Sequence, residues 1–97
     1  MTGMPETSRD QHWESILRLP LEPFHSPELR VEAKRLINAC CSSMAKADIA
    51  WLKEQVEEGK LFVTEELAVN PDDLEWQRID AVLAGALAGF RALDLRQ

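Results

Sequence analysis

Two adjacent thiols, Cys40 and Cys41, and two histidines, His12 and His25, are the side chains best suited to nucleophilic or acid–base chemistry. Nucleophilic catalysis needs a thiol or hydroxyl activated by a base that is itself held in place. Neither cysteine lies in a catalytic-cysteine signature, and no serine lies in a nucleophile elbow. His25 precedes Ser26 and Pro27, so a place at the start of a helix accounts for it. Cys40 falls on an apolar stripe and is expected in the core, with Cys41 beside it partly exposed. Adjacent cysteines form no ordinary loop-closing bridge, and with no C-x-x-C both read as reduced thiols.

Metal chemistry fares no better. The two histidines stand thirteen positions apart without an H-x-x-x-H pattern. Glu57-Glu58 and Asp72-Asp73 are neighbouring carboxylates, but adjacent helical positions point a quarter-turn or more apart. Gly85 and Gly89 form no phosphate loop, because they lie inside a helical pattern with no Lys or Ser following. No catalytic set, cofactor or metal is expected, and the chain reads as a protein-binding molecule and not an enzyme.

Charge narrows the class of partner. Eleven Lys and Arg against seventeen Asp and Glu give −6 over 97 residues. Phosphate backbones and anionic lipids are bound by clustered cations, so direct nucleic-acid or membrane binding is disfavoured. The charge is uneven: nine acids and two bases, Lys53 and Lys60, lie between Asp48 and Glu75. From Pro27 to Lys46 the balance reverses, with Arg30, Lys34, Arg35 and Lys46 against Glu28 and Glu32. Solvated helix faces explain such runs, and so does an acidic surface that docks on a basic partner. The polar stretch Met1–Asp10 has no apolar core of a signal peptide, and Ala81–Phe90 is too short to cross a bilayer. A cytoplasmic location is expected.

The elements that carry these residues follow from periodicity. Residues 1–9 read as a flexible tail, and 10–97 as one helical domain. Asp10 caps a short helix over Gln11–Arg18, with Trp13, Ile16 and Leu17 on one face. Pro20 and Pro23 forbid regular helix, so Leu19–Phe24 is expected to be extended. Ser26 as cap, Pro27 at the first helical position and Glu28 open the next helix. Its stripe is Leu29, Ala33, Leu36, Ile37, Cys40 and Met44. A break is expected around Ser42–Asp48, after which Ile49, Leu52 and Val56 lead to Gly59 as a C-terminal stop. Leu61-Phe62-Val63 reads as extended and Thr64–Ala68 as a helical turn. Asn70-Pro71-Asp72-Asp73 then starts a final helix from Pro71 to about Leu93. The fold class is all-α: a small bundle of three to four helices with an extended, proline-containing N-terminal segment.

The final helix carries the strongest pattern. Trp76, Ile79, Leu83, Ala86, Phe90 and Leu93 alternate three and four apart, the seam of a heptad. Val82, Leu87 and Ala88 widen the apolar surface beside it. Ala81, Gly85 and Gly89 recur every four residues, as do Ala84, Ala88 and Ala92. Glycine inside a helix costs about 1 kcal/mol relative to alanine, so two of them imply a helix packed very close. So short a chain has few elements to cover a helix apolar on most sides. Trp76, Ile79, Val82, Leu83, Gly85, Ala86, Gly89, Phe90 and Leu93 are therefore the expected protein-binding or dimer interface, with a homodimer as the economical assembly. The competing reading makes this helix the central core element of a monomer.

At His12-Trp13-Glu14-Ser15, Leu19-Pro20-Leu21-Glu22-Pro23 and Leu61-Phe62-Val63 the sequence resembles the small quorum-sensing antiactivators of pseudomonads that target LasR-type regulators. The resemblance covers roughly residues 12 to 93. It implies a helical, dimeric protein that binds a LuxR-type transcription factor and blocks its dimerisation or DNA binding. The alternative from composition is a cytoplasmic secretion- or phage-type chaperone, which is also small, acidic and often dimeric.

Overall fold

Prolines and polar caps set most of the helix boundaries. The computed structural model describes residues 5–96, with side chains placed for 9–94. Helix α1 runs Pro5–Arg18, α2 Ser26–Cys41, α3 Lys46–Val69 and α4 Leu74–Arg96; a 3-10 turn covers Leu19–Leu21. No strand occurs among the described residues. The chain is thus the expected small all-α bundle.

Helix α2 begins one residue early, with His25 as N-cap, and the His25 backbone N–H donates to Glu28 Oε1 at 3.0 Å. The expected break falls at 42–45. There the Ser42 hydroxyl donates to the Ala39 carbonyl at 2.8 Å, and the Cys40 carbonyl accepts both the Ser43 hydroxyl at 3.4 Å and the Ser43 N–H at 3.3 Å, closing the last turn of α2. Of the stretch expected as a tail, residues 1–4 lie outside the described ones and Pro5–Arg9 belong to α1.

Three expectations are corrected. Helix α3 does not stop at Gly59 but continues ten residues to Val69, and Leu61-Phe62-Val63 is helical. Gly59 serves packing: a Cβ there would lie 3.3 Å from Leu83 Cδ1 and 3.6 Å from the Trp13 ring. Helix α4 begins at Leu74 instead of Pro71. The Asp73 N–H donates to the Asn70 carbonyl at 3.2 Å, closing a turn with Pro71 in its second position, and Asp73 Oδ1 accepts the Trp76 N–H at 3.2 Å. In Leu19–Phe24, expected to be extended, the first three residues coil into the 3-10 turn and extended backbone begins at Glu22.

Contacts fix the directions of the helices. Gly85 faces Arg30, and Gly89 faces Lys34 and Ile37, so α2 and α4 run parallel. Lys60–Asp80 at 2.7 Å and Lys53–Asp94 at 3.4 Å set α3 antiparallel to α4. Arg9 lies against Asp48 and over the Trp51 ring, while Trp13 lies by Gly59, so α1 follows α3. Ile16, Leu29, Ile37, Leu52, Val56, Val82 and Leu83 are the large side chains wholly enclosed between the four helices. Burying a side chain of this size contributes about 1.5–3 kcal/mol, which makes this cluster the main source of stability.

Candidate protein-binding surface

Most of the face expected to bind a second molecule is occupied by the chain's own α2. Val82, Leu83, Ala86 and Phe90 are at most 2% exposed, and Gly85 and Gly89 are buried with them. A Cβ on Gly85 would lie 2.1 Å from the Arg30 carbonyl oxygen, and one on Gly89 would lie 2.9 Å from Ile37 Cβ. The small-residue strip does bring a helix close, but that helix is α2. Those six positions form no free interface. Trp76, Ile79 and Leu93 remain half-buried at its margins.

The uncovered apolar surface lies elsewhere. Leu61 is 68% exposed, Phe62 56%, Val69 76% and Leu74 73%, all on the second half of α3 and the first turn of α4. The Phe62 ring meets the edge of Trp76 at a centroid distance of 5.5 Å, which ties the exposed patch to the half-buried end of the heptad seam. Leu17 and Leu21 are also exposed, and with Pro20, Glu75, Arg78 and Ile79 they line an open groove at the same end of the bundle.

Helix geometry places acids around these side chains. Phe62 stands one turn after Glu58 and one turn before Glu65 and Glu66; Leu61 stands one turn after Glu57, and Val69 one turn after Glu65. Between Glu54 and Gln77 there are eight acids and a single base, Lys60, and the rest of the chain holds nine acids and ten bases. The net negative charge of the protein therefore resides in this one segment. Lys60 turns inward to Asp80, and none of the eight acids has an ion-pair partner among the described residues.

Arg78 is the structural residue that periodicity did not single out. Its guanidinium donates from Nε to the Pro20 carbonyl at 3.1 Å, from Nη2 to Pro20 at 2.8 Å and Glu22 at 2.5 Å, and from Nη1 to the Phe24 carbonyl. The prolines deny this segment helical hydrogen bonding, and a planar cation with several donors satisfies three of its carbonyls at once. An arginine one residue before Ile79 of the apolar seam, in a chain that also carries a two-proline segment, was the available signal.

The residues first considered for chemistry have quieter positions. Cys40 and Cys41 are both buried, at 5% and 9% exposure, which corrects the expectation that Cys41 is partly exposed. Burial pushes both thiols up, Cys41 to about 11 with the neighbouring Cys40 adding to the effect, so both are protonated at neutral pH. Among the described residues no three His, Cys, Asp or Glu side chains gather closely enough to hold a metal ion, and no helix is long and apolar enough to cross a membrane. Set against protein-family models, curated proteins and solved structures, the chain matches none of them.

Proposed function

We propose that this chain is a protein-binding regulator that works by occupying a partner's surface and carries out no reaction of its own. One observation carries the reading: four large apolar side chains, Leu61, Phe62, Val69 and Leu74, stand more than half exposed in the segment that holds all of the net negative charge. Contiguous apolar surface rimmed by polar groups is the usual mark of a protein contact. The resemblance to antiactivators extends the proposal to a LuxR-type transcription factor, whose dimerisation or DNA binding the chain would block.

A gel-shift titration tests it. Operator DNA bound by a purified LuxR-type regulator should be released as the chain is added, and Phe62→Ser should abolish the release while its helical circular-dichroism spectrum is kept. Undiminished DNA binding at a large molar excess of chain would overturn the antiactivator proposal. Binding of an unfolded secreted client, in place of the regulator, would favour the chaperone alternative.

The expected homodimer has no place in this proposal. The glycine strip is filled by α2, and a two-fold pairing through the exposed patch would set acid against acid. A partner of other composition suits that patch better.

A further inference from the structure

We infer that the outer face of α3 from Glu57 to Val69, together with Leu74, is the docking site for a cationic amphipathic helix of another protein. The inference rests on the protein-binding reading above and specifies the partner's chemistry. Along this face apolar and acidic side chains interleave at one-turn spacing: Glu57 then Leu61, Glu58 then Phe62, Glu65 then Val69. The stretch from Leu61 to Val69 rises about 12 Å, enough for two to three turns of a partner helix with apolar anchors at i, i+3 or i+4, and i+7. Lysines or arginines flanking those anchors would meet Glu57, Glu58, Glu65 and Glu66, which have no basic partner in their own chain among the described residues.

Other occupants fit less well. A second copy related by a two-fold axis brings the same carboxylates together within a Debye length, where like charges repel. A head-to-tail copy could set this face on Arg30 and Lys34 of α2, but such pairing leaves a free face at each end and grows without closing. A nucleic-acid mimic needs charge alone, whereas here Leu61 and Phe62 project between the acids at 68% and 56% exposure.

The test uses the full chain and three fluorescein-labelled synthetic peptides of one length: an amphipathic helix with leucines on one face and lysines on its flanks, the same peptide with glutamate for lysine, and a scrambled lysine peptide. Anisotropy titrations should show saturable binding of the first peptide alone. Its affinity should fall about tenfold on raising salt from low to physiological strength and above, because exposed charges are then screened. It should also fall about tenfold in Phe62→Ser, as for loss of an aromatic anchor, and several-fold in the double variant Glu58→Gln with Glu65→Gln. Circular dichroism of each variant should match the parent, since all three side chains are exposed.

Equal binding of the scrambled peptide, binding of the glutamate peptide, or unchanged affinity in Phe62→Ser would overturn the inference. So would concentration-dependent light scattering of the chain alone that Phe62→Ser abolishes, because a second copy would then be the occupant. A LuxR-type regulator left untouched while the lysine peptide binds would sink the antiactivator proposal and leave this one standing. The reverse result, release of the regulator by a chain that binds none of the peptides, would sink this inference alone.

Discussion

Three glycines lie in helix interiors, and substituting each by alanine separates backbone propensity from packing. The propensity term is the same for all: alanine stabilises a helix by about 0.8–1 kcal/mol over glycine. The space each methyl would enter differs. At Gly59 the nearest atom is the mobile end of Leu83, 3.3 Å away, so a few tenths of an ångström of side-chain movement is enough. At Gly89 the methyl meets Ile37 Cβ at 2.9 Å and the Lys34 carbonyl at 3.2 Å, on a helix that must yield slightly. At Gly85 it meets the Arg30 carbonyl oxygen at 2.1 Å, its carbon at 2.8 Å and its Cα at 2.9 Å. All three are backbone atoms, so α2 must move away from α4 by about 1 Å or more. Close-packed interiors tolerate such separation poorly, and overpacking costs about 1–3 kcal/mol or more.

The expected order follows. Gly59→Ala should stabilise by about 0.5–1 kcal/mol, and Gly89→Ala should fall between neutral and about 1 kcal/mol destabilised. Gly85→Ala should lose about 2–3 kcal/mol after the propensity gain is counted. Urea unfolding followed by circular dichroism at 222 nm measures all three. A Gly85→Ala protein as stable as the parent would refute the reasoning, since it would mean that α2 does not rest on α4 at this point. Gly85→Leu, which would probe self-association if the strip faced a second copy, should instead prevent folding of the monomer.

Other substitutions read other contacts. Arg78→Ala should cost about 2–3 kcal/mol, because three carbonyls of the Pro20–Phe24 segment lose charge-assisted donors; Arg78→Lys should recover less than half of it, and equal stability of the lysine variant in urea would contradict the clamp. A double-mutant cycle on Lys60 and Asp80, with methionine and asparagine, should give a coupling of about 1 kcal/mol or less, since both side chains are near 30% exposed. Cys41 supplies a pH dependence: its folded value is near 11 against an ordinary 9, so the unfolded chain releases its proton first as pH rises. Its stabilisation is complete below pH 9 and is lost between 9 and 11; the chain contains no tyrosine to mask this, and Cys41→Ala should flatten that part of the urea-midpoint curve. At neutral pH both thiols should react with an aromatic disulfide only as fast as the protein unfolds, and immediate labelling would refute their burial.

Local signals were legible in the sequence, and long-range ones were not. The start of α2 at Ser26-Pro27-Glu28 and the break after Cys41 depend on side chains acting within one turn of themselves; the start lies within a residue of its expected place, and the break at 42–45 falls inside the expected Ser42–Asp48. Gly59 misled because a glycine that makes room for Trp13 and Leu83 looks the same in sequence as one that ends a helix. The heptad seam of α4 correctly marked an apolar helix that needs covering, and its glycines correctly marked a close approach. Spacing alone does not say whose helix approaches. Arg30 and Ile37 supply the answer from the same chain, more than fifty residues away. Arg78 escaped notice for the same reason, its acceptors being backbone carbonyls 54 to 58 positions distant.

The economics of α3 make the strongest case that its outer face has a use. Helices in proteins are held mainly by tertiary packing, and a short segment has little helical stability by itself. Of the residues from Lys60 to Val69, Val63 alone is fully buried, while Leu61, Phe62 and Val69 project outward among like-charged carboxylates. Such an extension adds Val63 and part of Leu67 to the core that Leu52 and Val56 anchor, yet three of its ten residues are large hydrophobics that stand more than half exposed. Hydrogen exchange should therefore be faster at the amides of 64–69 than at 52–56, and it should slow when the lysine-flanked peptide binds. Uniform protection along α3 in the free chain would mean that packing holds the extension in place without a partner, and the case for an external contact would lose its physical basis.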